Sequence, residues 1–196
     1  MGNNILMIKK ALIFFILFYV YAALRYHFGK GLGLDSVLFV FNKSFAWTAG
    51  TFFAMTLLPS RWFSAYPLYR SELGKIAYGF SLLHICANLV LINPRAQAAL
   101  FDGTSLNLHG WYIVLMGIIT FIFFSIPLIA TLKRIPSGSK LYKFGKVGVI
   151  SSLIHVTIIG LHGWFNPNEW PYYLPPITLL FVGSTSIILV FRTFWK

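Results

Sequence analysis

"SLLHICANLV", residues 81–90, sets His84 at the middle of a run that otherwise partitions into oil. "SSLIHVTIIG", residues 151–160, repeats the arrangement with His155. Outward from each histidine the apolar run extends over residues 73–93 and 143–164. That is close to the ~20 residues an α-helix needs to cross the hydrocarbon of a bilayer. No water is available there to bond backbone groups, so spans of this length are helices. Four more runs of the same kind cover residues 5–24, 37–58, 110–132 and 173–193. The expected fold is an all-α integral membrane protein, a single domain over residues 1–196 built as a six-helix antiparallel bundle.

Composition agrees. Hydrophobic residues make up 58% of the 196 and charged residues only 10%, against about 25% charged in a soluble domain. Between the runs lie "GKGLGLD", "PSRWFSAYPLYRSE", "NPRAQAALFDGTSLN", "KRIPSGSK" and "NPNEWP", with the Gly, Pro, Asn and Ser of turns. Trp62, Trp111, Trp164, Trp170 and Trp195 fall near run ends, where aromatic belts form. Cys86 is the single cysteine, which excludes an intrachain disulfide and reads as a small packing residue. Lys9 and Lys10 precede an apolar run as in a signal peptide, but no small-x-small cleavage site follows. The first run is therefore expected to stay as an anchor.

The net charge of +12 is not a nucleic-acid signal, because the cations sit between apolar runs rather than along one polar face. It reads as topology. Lys9, Lys10, Arg61, Arg70, Lys75, Lys133, Arg134, Lys140, Lys143, Lys146, Arg192 and Lys196 fall on one side of a six-span chain. Only Arg25, Lys30 and Arg95 fall on the other, and Lys43 lies inside the second run. The basic side faces the cytoplasm, so both termini are expected there, in a bacterial inner membrane with anionic lipid at the basic loops.

With that orientation, the two histidines share a depth. His84 precedes Asn93 by nine residues, and His155 precedes Trp164 by nine. At about 1.5 Å per residue, both rings lie roughly 13 Å below the outer ends of two helices running in the same direction. Ionisable residues in spans are costly and face partners inside the bundle. Two readings stay open at this point. The rings could make interhelical hydrogen bonds, each worth about 0.6 kcal/mol. Alternatively they could ligate the two axial faces of a haem iron, with Gly79, Ala87, Ser151, Ser152 and Gly160 leaving room for the macrocycle.

The surroundings carry a resemblance. "YRSELGKIAYGFSLLH" (69–84) resembles the third-helix entry of ferric-reductase-like transmembrane domains. "WTAGTFFAMTLLPSRW" (47–62) resembles their second helix, and "GSKLYKFGKVGVISSLIH" (138–155) their fifth. The likeness spans residues 45 to 160 and is nearest to the haem-binding membrane subunits of the bacterial periplasmic methionine sulfoxide reductase system. It implies a bundle that passes electrons across the membrane through haem b. In that family the fifth helix often holds two histidines thirteen residues apart. His155 matches the outer one, and Tyr142 stands at the inner one. A second third-helix histidine, thirteen residues after the first, is replaced by Gln97. The resemblance thus carries over one haem b, ligated by His84 and His155, and no ordinary second haem.

Other polar residues are secondary. His27, His109 and His162 are expected near the outer face. His162 lies about 10.5 Å beyond His155 on the same helical face, where it could reach a haem propionate, a quinone or a partner. Three such histidines are also enough for zinc or copper, although their spacing is not that of a ligand motif. "HGWY" at 109 and "HGWF" at 162 repeat a cluster that suits an aromatic belt or a shared outer pocket. Lys43 is expected to snorkel outward or to pair with a propionate. No nucleotide fingerprint occurs, since "GKGLG" at 29–33 lacks the Lys-Ser/Thr of a phosphate loop. No nucleophile–base constellation occurs either. Electrons would come from a cytoplasmic flavoprotein or a quinol and go to a periplasmic redox protein. The alternatives are a transporter or channel subunit using the histidines as a proton relay, and a cofactor-free scaffold.

Overall fold

A computed structural model describes residues 2–27, 33–58, 66–136 and 139–194. Its helices are α1 (Gly2–Tyr26), α2 (Leu34–Met55), α3 (Tyr66–Leu91), α4 (Leu108–Leu132), α5 (Lys143–Trp164) and α6 (Ile177–Phe194). Five of them are long and apolar enough to cross a membrane, as an all-α membrane protein requires. The exception, α2, carries Asn42, Lys43, Ser44 and Thr48. It is also the helix most enclosed by others, packing against α1, α3, α5 and α6. Asn42, Ser44 and Thr48 are buried. Ser44 and Thr48 return their hydroxyls to the Val40 and Ser44 carbonyls, each at 2.8 Å, so the interior meets few unpaired polar atoms. α2 needs less apolar surface because its neighbours, not lipid, surround it.

The helix ends differ from the apolar runs for local reasons. α3 begins at Tyr66 instead of 73, since Pro67 suits a first turn and the polar residues 70–72 continue the helix outside the oily run. α2 stops at Met55 instead of 58. There Thr56 caps it by donating its N–H to the Phe52 and Phe53 carbonyls, and Pro59 follows. α6 begins at Ile177 instead of 173. Ahead of it Tyr172 and Tyr173 take left-handed φ values of 52° and 57°, and Pro175 and Pro176 end the turn. The loop after α3 folds into a small hairpin, β1 (Phe101–Asp102) and β2 (Ser105–Leu106), turned by Gly103 at φ +64°. Two-residue strands leave no periodicity in a sequence, and none is foreseen there. Cys86 is exposed rather than packed. Trp62 and Trp195 lie outside the described residues.

Successive helices run antiparallel. One cavity is lined together by the end of α2, the start of α3, the end of α4, the start of α5 and the end of α6. At the opposite end, Arg25 near the end of α1 donates to the Leu174 carbonyl. Tyr21 donates to the Pro175 carbonyl at 2.7 Å, tying α1 to the entry of α6. Between these ends the aromatic residues fill the interior. Phe15 stacks on Phe45 and Phe80, with centroids 5.2 and 5.6 Å away, and Phe53 lies 3.6 Å from Phe124 and parallel to it.

The Phe53–Phe124 stack depends on Gly148. A Cβ there would stand 2.7 Å from the Phe124 ring, so the ring, only 5% exposed, would have to leave its parallel stack on Phe53. Gly148→Val is expected to cost about 1–3 kcal/mol through overpacking, read as a lower melting temperature by circular dichroism in detergent. Gly79→Ala, where a Cβ meets open space, should hold or slightly raise the melting temperature.

Candidate functional site

His84 lies partly buried on the side of α3 that meets α2. Its Nδ1 is 2.6 Å from Asn42 Oδ1 and 3.3 Å from the Asn42 carbonyl oxygen. Both are acceptors, so Nδ1 carries the proton and donates it. Nε2 is then the lone pair, and Asn88 Nδ2 donates to it at 3.0 Å. Asn42 Nδ2 donates to Asn88 Oδ1 at 2.9 Å and closes the ring of three side chains. Asn88 follows His84 by four residues and so shares its helical face. The functional readings of the sequence passed over both asparagines. The signal available was an amide inside each apolar run, one of them a turn from the histidine.

His155 sits on α5 against α4. A Cβ added at Gly117 would lie 3.3 Å from its Cε1, so Gly117 makes the room this ring occupies. Its Nδ1 is enclosed by protein and meets no partner in hydrogen-bond geometry among the described residues, although the ring lies within reach of the Ile113 backbone on α4. Leaving a buried polar nitrogen unpaired costs about 1–3 kcal/mol. The two imidazoles are within electrostatic reach of each other, and Lys43 is within reach of both. Lys43 Nζ lies 5.0 Å from the Phe39 ring centroid, one turn toward the start of α2. It is attracted to the ring face.

These residues fit a bis-imidazole group in donor chemistry. Asn42 holds the Nδ1 proton of His84, which fixes the tautomer and leaves Nε2 basic, as the partners of metal-ligating histidines do. His155 offers an unpaired nitrogen. One movement is required: Asn88 must leave Nε2 before that atom can ligate anything. As placed, His84 is turned to α2 and His155 to α4, and the rings share no partner.

The small residues expected to leave room do so unevenly. Gly79 faces open space, whereas Gly160 is filled by Thr178 and by Trp164, whose Nε1 donates to Thr178 Oγ1 at 2.8 Å. Ala87, Ser151 and Ser152 are buried. Tyr142 is engaged elsewhere, donating its hydroxyl to the Ile135 carbonyl at 3.0 Å. Gln97 donates to the Leu91 carbonyl at 3.2 Å, past the end of α3. His109 and His162 are exposed, and His27 pairs with Ser36 Oγ at 2.7 Å. Among the described residues no group of three or more His, Cys, Asp or Glu side chains comes together to hold a metal ion. The zinc or copper reading of the outer histidines therefore has no site there.

Compared with protein-family profiles, the chain matches none, and no curated protein matches it.

Proposed function

We propose that this chain is a membrane electron-transfer subunit that holds one haem b through His84 and His155. The observation that carries the reading is the buried, unpartnered Nδ1 of His155 within reach of a second imidazole whose proton Asn42 holds. Bound there, the macrocycle would supply one-electron redox chemistry. The protein's share is to keep His84 in one tautomer, to exclude water with the Phe15, Phe45 and Phe80 stack, and to place Lys43 where a propionate charge would be matched. The wider reading is a six-span bundle in a bacterial inner membrane, with α2 as the shielded sixth span and both termini cytoplasmic. A cytoplasmic flavoprotein or a quinol donates electrons, and a periplasmic redox protein accepts them.

The test is a reduced-minus-oxidised spectrum of protein purified from haem-replete cells. A low-spin b-type signal is expected, with about one haem per chain by pyridine extraction. A colourless, folded preparation would favour the second reading, a cofactor-free scaffold. That reading has its own support in the closed ring of Asn42, His84 and Asn88, which leaves the imidazole of His84 no free lone pair. Proton relay has less support, because the one ion pair among the described residues, Lys75–Glu72, lies at the basic end. Topology is tested separately. A C-terminal fusion is expected to be active with a cytoplasmic reporter and silent with a periplasmic one, and the opposite result would mean an odd number of spans or an inverted bundle.

A further inference from the structure

At the basic end of the bundle, α2 to α6 line an open-sided cavity of about 900 Å³, near the top of the range for ligand sites. Its wall divides in two. Arg70, Lys75, Lys143, Lys146 and Arg192 line the polar part. Lys75 is already paired with Glu72 at 2.7 Å, and among the described residues no Asp or Glu lines the cavity itself. The floor is apolar, with Phe53 and Phe124 at the back. Ile150, on the same wall, is 41% exposed on the flank of α5, so the apolar part reaches the outside of the bundle at the height of the chain's oily surface. Arg70 has partners. Its guanidinium donates to the Thr56 carbonyl and, at 3.1 Å, to the Leu58 carbonyl, where α2 ends. Arg192 is different: its Nη1 is enclosed and has no hydrogen-bond partner among the described residues, while it stands within electrostatic reach of Arg70. Two guanidinium groups that line one cavity without an anion between them repel, and an enclosed N–H without an acceptor is costly.

We infer that this cavity is a binding site for an anionic phospholipid, with the phosphate between Arg192, Arg70, Lys143 and Lys146 and an acyl chain over Phe124 and Ile150. The phosphate supplies the acceptor Arg192 lacks and neutralises the pair. The apolar floor and its opening on the flank of α5 select an amphiphile over a free anion. Basic residues near a membrane surface attract anionic lipid, and here they line an open-sided pocket rather than a plane. The inference does not depend on haem, and its test reads lipid rather than colour.

Native mass spectrometry of the full chain in detergent, titrated with dioleoyl phosphatidylglycerol or dioleoyl phosphatidylcholine, decides it. The expected result is about one retained phosphatidylglycerol per chain, with phosphatidylcholine at least about fivefold weaker. Arg192→Gln should weaken phosphatidylglycerol about fivefold, while Lys133→Gln, on an exposed residue outside the cavity, should not. If Arg192→Gln does not fold, Ile150→Trp carries the test, because it fills the floor with every cation in place and should also lower retention. Equal retention of the two lipids overturns the proposal, as does a titration unchanged by both Arg192→Gln and Ile150→Trp. Full displacement of phosphatidylglycerol by inorganic phosphate would show a free-anion site and overturn it too.

Discussion

His84→Ala and His155→Ala are each expected to remove the low-spin haem signal and to lower haem content by about tenfold or more. The equality of the two effects is the content of the prediction. A six-coordinate iron loses its character when either axial ligand goes, whichever helix supplied it. If the histidines were only interhelical links, the two losses would differ. His84 has two side-chain partners, and its loss would leave Asn42 Oδ1 and Asn88 Nδ2 unpaired. His155 has an orphaned nitrogen, so its replacement would lose little beyond ring packing at Gly117. His162→Ala should keep the low-spin spectrum, since that ring is exposed and about 10.5 Å further along the helix. Tyr142→Phe should also keep it, because the hydroxyl is committed to Ile135. If His155→Ala retained a normal spectrum while His162→Ala lost it, the fifth-helix assignment would be wrong and His109 would become the expected partner.

The helices were legible in the sequence because apolar length is a strong signal, and the two histidines because an imidazole in oil is conspicuous. The partners of His84 were less so. An asparagine in an apolar run says that a hydrogen bond exists without saying to what, and the Asn42–His84 contact joins residues 42 positions apart. The character of α2 was hidden for a related reason. Hydropathy measures suitability for lipid, and a helix enclosed by four others is not solvated by lipid. Arg192 and Arg70 were legible as topology markers. Their convergence on one cavity depends on the bundle's arrangement, because the end of α6 and the start of α3 meet only in the folded chain.

Asn42→Leu and Asn88→Ala are expected to move haem binding in opposite directions. Asn42 accepts the Nδ1 proton of His84 and donates to Asn88. Its loss frees the imidazole to change tautomer and orientation, and outer partners of this kind are worth about 10- to 100-fold in metal affinity. It also leaves the His84 Nδ1–H only the longer 3.3 Å contact to the residue-42 carbonyl and strips Asn88 Oδ1 of its donor, at about 1–3 kcal/mol of stability. Asn88 donates to the very nitrogen that must ligate. Removing its amide leaves Asn42 on Nδ1 and clears Nε2, so haem occupancy should hold or rise even though the protein loses a hydrogen bond. Haem titration of the apoprotein, followed by absorbance, separates the two variants, and thermal melts report the stability cost alongside. A scaffold without cofactor would show two stability losses of similar size and no haem binding in either variant. A haem site in which Asn88 itself orients the ligand would show the reverse order, with Asn88→Ala the weaker binder. Opposite signs from two amides that touch each other are not expected of packing alone, because packing charges both variants for the same broken ring.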